Sequence, residues 1–244
     1  MTAAVDRMDE PRADVGWIVG ATVNVLRLRA LDLALIALPF VWLPNALVGL
    51  LPQELANFRL TGGLPGLVFF GGASLIAVQE ITGAAHVTAL QATGVGLRRC
   101  FTLFMVNAVS TLIAFGGLLL LVVPGIFVLV AFMSATAVAV AEHKGSTAAL
   151  ERSWMLSRGS RGRLAGLLGI AVVGYAALLL AGALIEFVVQ LVAGTSWVTP
   201  VGQFLIAPAI TTLLLMATTV GSAAAYVNLR NIREGPVGVA DTFA

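Results

Sequence analysis

Apolar residues fall in long uncharged runs separated by short polar stretches, and the longest run, Phe101 to Ala141, covers 41 residues. As one straight helix it would measure about 60 Å, twice the ~30 Å hydrocarbon core of a bilayer, so it has to fold back on itself. Pro124 cannot continue a helical hydrogen-bond ladder and Gly125 tolerates turn angles. The expected reversal is therefore at Pro124 and Gly125, leaving legs of 23 and 17 residues. Four further runs read as membrane helices: Ala30 to Leu51, kinked by Pro39 and Pro44; Gly66 to Leu90; Leu164 to Val192; and Gly202 to Leu229. The pattern predicts an all-α integral membrane protein with six transmembrane helices.

Two shorter stretches are amphipathic. From Asp14 to Arg29, Trp17, Ile18, Ala21, Val25 and Leu28 recur at helical spacing. From Ser146 to Arg158 a basic segment follows the apolar hairpin, with Ser146 as candidate N-cap and Gly159 as candidate stop. Both are expected to lie in the headgroup plane as interfacial helices. Residues 52–65 and the segment GTSWVTP read as loops. The expected organisation is a flexible N-terminus at 1–13, a single membrane domain at 14–229 and a polar tail at 230–244.

Charge then supplies a topology. Only 11% of residues are charged, against about 25% in ordinary soluble domains. On a six-helix layout thirteen Lys and Arg fall on one side and Arg59 alone on the other, so the positive-inside rule puts both termini in the cytoplasm. Trp42 and Trp197 then sit near the outer interface, Trp17 and Trp154 near the inner one. A shallow re-entrant hairpin would return the chain to the same side as a spanning one, so the charges leave that choice open. The N-terminal residues lack the apolar core of a signal peptide, and the single Cys100 excludes an intramolecular disulfide.

Candidate chemistry is sparse. Arg152, Arg158, Arg161 and Arg163 form a basic segment without an acid, suited either to anionic phospholipid headgroups or to anchoring topology. Arg152 stands apart as a residue that could hold the surface helix against the bundle. Glu80, His86 and Glu186 are ionisable residues within expected membrane helices, where they would either line a polar cavity or be satisfied by neighbouring helices. Glu80 is expected to be the deepest, and Asp32 is expected to be solvated or paired with Arg29. Basic pairs precede the first, third and fifth helices, which reads either as a repeat of hairpins or as ordinary inside charge. Gly162 with Gly166, and Ala217, Gly221 and Ala225, form small-residue ridges for close helix packing or for a dimer. HExxH, GxSxG, Walker and CxxC motifs are missing, and His86 and His143 are placed too differently to suggest zinc. No catalytic residues, metal site or cofactor are predicted, and nothing beyond arginine content points to nucleic acid.

One pattern is more specific. Pro124-Gly125-Ile126-Phe127 is followed by Glu142, by Ala149-Leu150-x-Arg152-Ser153-Trp154 through Leu156 to Gly159, and finally by Ala225-Tyr226-x-x-Leu229-Arg230 with Glu234-Gly235. This resembles the family named for the membrane domain of glycerophosphoryl diester phosphodiesterase, and the YciC-like inner-membrane proteins similar to it. The resemblance implies a six-helix protein of the bacterial cytoplasmic membrane, tied to lipid or envelope homeostasis, with membrane phospholipids as partners. No residues remain here for the separate phosphodiesterase domain found in that family, so its hydrolase activity is not expected. The leading reading is a non-enzymatic protein of membrane lipid organisation or assembly. The alternative is a small transporter, or a transporter subunit, whose pathway uses Glu80 and Glu186.

Overall fold

The computed structural model describes residues 13–48, 63–84, 86–120, 122–193 and 201–235. Among them the elements are α1 (Val15–Leu28), α2 (Ala30–Ala37), a π turn (Leu38–Trp42), α3 (Leu43–Val48), α4 (Gly63–Thr82), α5 (Ala89–Arg98), α6 (Cys100–Leu120), α7 (Val122–Phe132), α8 (Ala135–Ala141), α9 (Ser146–Ser157), α10 (Arg161–Ala193), a second π turn (Gly202–Ile206) and α11 (Ala207–Glu234). Six stretches are long and apolar enough to cross a membrane: α2 through α3, α4, α6, α7 with α8, α10, and the second π turn with α11. The expected loop at 52–65 lies outside the described residues as far as 62. So do Arg59, Trp197 and the rest of GTSWVTP, residues 1–12, and the tail from 236 onward.

The bundle is built around α4. Some 72% of its span is buried in protein, against 6% for α10. Every residue from Gly66 to Gln79 except the half-buried Phe70 is shielded, and α5, α11, α8 and α6 all pack on it. Small residues make this possible. A Cβ on Gly71 would stand 2.7 Å from the Gly96 Cα, and one on Gly72 would stand 3.1 Å from the Ala92 carbonyl oxygen. A Cβ on Gly96 would run into the Val68 backbone. Helices α4 and α5 thus meet backbone to backbone, antiparallel, at glycines outside the ridges expected from sequence. Gly162 and Gly166 have nothing within 4 Å of an added Cβ, so they mediate no close packing in this chain. The other ridge is used, since α1 packs along α11 and a Cβ on Gly221 would stand 3.7 Å from the Thr22 hydroxyl.

Several boundaries differ from the hydropathy reading. The second apolar run does not continue to Leu90. Gly83 adopts φ +67°, its N–H donates to the Glu80 carbonyl and that of Ala84 to the Gln79 carbonyl, a left-handed stop that ends α4 at Thr82. Thr88 and Gln91 then open α5 with a reciprocal capping box, so His86 lies in the connection and not in a membrane helix. The N-cap of α9 is Gly145, with Ser146 the first helical residue, whereas Gly159, at φ +82°, follows its end as expected. The last helix runs beyond Leu229 to Glu234, and Ala13 is fully buried.

The hairpin is present, with its reversal displaced. Helix α6 ends at Leu120 and α7 begins at Val122, so Pro124 and Gly125 belong to the first turn of α7 and not to the reversal. That position suits proline, because first-turn N–H groups have no intrahelical acceptor in any case. Gly125 instead allows close approach, since a Cβ on the facing Gly117 would be 3.0 Å from its Cα. The second leg is itself broken at Met133 and Ser134 into helices of 11 and 7 residues. The amphipathic helices α1 and α9 exist: Ile18 and Val25 of α1 pack onto protein while Trp17 and Leu28 stay exposed, and Ala149, Leu150, Ser153 and Leu156 of α9 are buried.

The α4–α5 contact yields a paired prediction. Gly96→Ala should destabilise the protein by about 1–3 kcal/mol through overpacking against Val68. Gly94→Ala, with nothing within 4 Å, should be neutral or stabilising. Thermal denaturation of both variants in detergent checks the difference.

Candidate functional site

The specific pattern in the sequence is scattered over more than a hundred residues, and folding gathers much of it into one closed ring. Glu142 follows α8, Arg152 projects from α9, and Tyr226, Arg230 and Glu234 lie at four-residue spacing along one face of α11. Arg152 Nε donates to both Glu142 carboxylate oxygens at 3.2 Å, and its Nη2 pairs with Glu234 Oε1. Arg230 Nε donates to Glu234 Oε2 at 3.2 Å, and Arg230 Nη1 donates to the Tyr226 hydroxyl at 3.3 Å. That hydroxyl donates to Glu142 Oε1 at 3.1 Å, closing the circle, while Lys144 Nζ binds Glu142 Oε2 at 2.8 Å.

Burial sets the strength of these contacts. The Glu142 and Arg152 side chains are only 12% and 22% exposed. Burial works against the charge on Glu142, but the Lys144 ammonium and the Arg152 guanidinium outweigh it and hold the carboxyl below the usual glutamate value. Burial likewise opposes the Arg152 charge, and the carboxylates of Glu234 and Glu142 more than restore it. Next to Arg152, the Ser153 hydroxyl donates to the Ala131 carbonyl at 2.8 Å and lies 3.0 Å from Ser134 Oγ. It thereby satisfies backbone freed by the break between α7 and α8. Arg152 and Ser153 therefore fasten α9 to the base of the hairpin and to the last helix.

The remaining basic residues are largely engaged by protein. The Arg161 guanidinium lies 4.3 Å from the Phe127 ring centroid and 4.1 Å from that of Trp154, and it donates to the Trp154 carbonyl. Arg163 donates to the Ala13 carbonyl, Arg99 to that of Ala139, and Arg233 to those of Leu156 and Arg158. These contacts join elements distant in sequence. The Arg158 side chain is exposed.

A second cluster surrounds Arg29, which is 5% exposed. It pairs with Asp32 at 3.2 Å and Glu80 at 3.3 Å, meets His86 Nε2, and donates to the Val87 carbonyl at 2.9 Å. The expected pairing of Asp32 with Arg29 is thus present. Glu80 is two residues from the end of α4 and holds this junction, so it is not the deep isolated carboxylate that the longer helix implied. Glu186 is elsewhere: a Cβ on Gly202 would meet its Oε1 at 2.5 Å, in the π turn against which α3 packs. The 19 residues from Ala30 to Val48 separate these two places, about 28 Å at helical rise, and the structure does not bring Glu80 and Glu186 together.

Between α10 and the rest of the bundle lies a cleft of about 630 Å³, to which α1, α4, α6, α8 and α11 also contribute. Its wall is largely apolar, with Val23, Phe70, Val106, Leu168 and Leu178 among the lining residues, and contains no Asp, Glu, Lys, Arg or His. Among the described residues no group of His, Cys, Asp and Glu is arranged to hold a metal ion.

Comparison with known proteins adds a coarse statement. The chain is 30% identical over 92 residues to the UPF0259 membrane protein of Photorhabdus laumondii, covering 38% of this chain and 36% of that protein. This is a membrane protein. The chain spans little more than a third of that relative's length, and no protein-family profile and no solved structure matches it. The likeness is to a membrane protein and does not extend to the glycerophosphoryl diester phosphodiesterase membrane domain in particular.

Sequence reasoning isolated Arg152 and Ser153 but left Glu142, Tyr226, Arg230 and Glu234 as parts of a pattern without a partner. The spacing of the last three on one helical face was the available signal. The cleft had none, because its lining comes from helices far apart in sequence.

The ring gives two expected outcomes. Arg152→Gln leaves Glu142 and Glu234 short of a charged donor and should cost about 2 kcal/mol, read as a lower melting temperature. Because Glu142 has a lowered folded-state value, its contribution is present above the usual glutamate range and is lost as pH falls below it. Melting curves from neutral pH to pH ~4 should fall more steeply for the wild type than for Glu142→Gln, measured against a usual glutamate value of 4.5.

Proposed function

We propose that this chain is a non-enzymatic protein of the bacterial cytoplasmic membrane, with both termini cytoplasmic, that organises lipid by holding a lipid chain in the cleft beside α10. The cleft is the observation that carries this reading. Its volume of about 630 Å³ falls within the ~300–1,000 Å³ usual for small-molecule sites, and its walls are apolar. It is bordered by helices apolar enough to span a bilayer, so acyl chains are the abundant apolar molecules at its depth. Helix α10 is the least buried span and leans on few neighbours, which suits a lateral opening. The exposed Arg158, with Arg27 and Arg98, adds attraction to anionic headgroups of about 1 kcal/mol per residue. A transport path linking Glu80 to Glu186 finds no support in their separation.

The test is to purify the protein in native lipid patches, delipidate gently and identify what stays bound by mass spectrometry. Wild type should retain lipid stoichiometrically, and Gly174→Leu, which projects a side chain into the cleft, should lose most of it at an unchanged melting temperature. Equal lipid content in the two, or only bulk lipid in the wild type, would overturn the reading.

A further inference from the structure

Helix α1 borders two separate cavities with two of its faces. Thr22, Val23 and Leu26 line the cleft beside α10. Trp17, Gly20, Ala21 and Asn24 form another stripe along the helix and line a smaller pocket of about 370 Å³, completed by Glu80 and Ile81 at the end of α4. The two cavities share no lining residue. Glu80 is two residues from the end of a span apolar enough to cross a bilayer, which puts this pocket at headgroup level and not among acyl chains.

The charge around the pocket is unbalanced. Asp32 and Glu80 share the single guanidinium of Arg29, at 3.2 and 3.3 Å, and among the described residues no second cation stands within 4 Å of either carboxylate. His86 meets the same guanidinium through Nε2, where Arg29 can only donate, so that nitrogen accepts and brings no positive charge. One negative charge is left over. The Glu80 side chain is 28% exposed, and Trp17 and Asn24 are exposed as well, so an occupant of the pocket can reach all three.

An anion is repelled here, and an uncharged occupant leaves the excess charge unanswered. A primary ammonium supplies that charge together with three N–H donors for the carboxylate and amide oxygens, and the indole beside it adds cation–π attraction. A quaternary ammonium has the charge but no N–H to give. We propose that this pocket binds the primary ammonium of an ethanolamine group, with Glu80 as counter-ion, Asn24 as hydrogen-bond acceptor and Trp17 as aromatic wall. Ethanolamine phospholipids present that group at this depth, and soluble ethanolamine carries the same chemistry. The site goes beyond the lipid-chain cleft, and neither depends on the other.

Phosphatidylethanolamine and phosphatidylcholine of identical chains differ only in N-methylation, so competition between them for delipidated protein, read by native mass spectrometry, isolates the ammonium. Wild type should prefer the ethanolamine lipid about tenfold, the scale of one hydrogen bond to a charged group. Gly20→Leu, where an added Cβ meets nothing within 4 Å, fills the pocket without crowding the protein and should abolish the preference at an unchanged melting temperature. Glu80→Gln should also abolish it, with a lower melting temperature because Arg29 loses a partner; Gly20→Leu keeps that loss from deciding the result. Gly174→Leu, which obstructs the cleft, should leave the preference intact. Equal binding of the two lipids by wild type, or a preference that survives in Gly20→Leu, would overturn the ammonium site and leave the cleft reading standing. Excess free ethanolamine separates the sources: displacement of the ethanolamine lipid supports a soluble amine as ligand, and no displacement supports the membrane lipid.

Discussion

A guanidinium that leaves water must be met by protein acceptors, and this constraint shapes the molecule wherever its chain enters or leaves an apolar span. Arg152 meets it with Glu142 and Glu234, Arg29 with Asp32 and Glu80, and Arg99, Arg163 and Arg233 with backbone carbonyls of distant segments. Each contact bridges elements that hydropathy treats as independent. The basic residues that mark one side of the sequence therefore also act as fasteners, joining α9, α11 and the hairpin into one body. Removing one partner of such a pair leaves the other charged and half-buried, which is why the pairs are more consequential than surface ion pairs.

The second organising feature is the approach of α4 and α5. Gly71, Gly72 and Gly96 bring two backbones into direct contact, and α4 is thereby surrounded on all sides. In an apolar medium there is little hydrophobic gain from helix association, so close packing of small residues has to supply it. The consequence is an uneven bundle, with a tightly held centre and α10 resting against it along one side. A cleft at that loosely held side follows from the unevenness.

These features bear on function together. The polar ring accounts for Glu142, Arg152, Tyr226, Arg230 and Glu234 of the most specific sequence pattern as structural ties. What internal packing leaves open is the apolar cleft beside α10. The lipid reading begins there.

The sequence by itself determined the helical class, the six apolar spans and the isolation of Arg152 and Ser153, because each depends on run length or on periodicity along one segment. It also carried a stop at Gly83 and a capping box at Thr88 and Gln91, local signals that uniform hydropathy overrode. Only the tertiary structure decided that Glu142, Tyr226, Arg230 and Glu234 close a ring around Arg152, that Gly96 rather than Gly162 is the close contact, and that Glu80 and Glu186 lie far apart. Those outcomes depend on which helices become neighbours. In a chain where nearly every span is apolar on all faces, periodicity does not specify neighbours; backbone contact at glycines and the pairing of a few charges do.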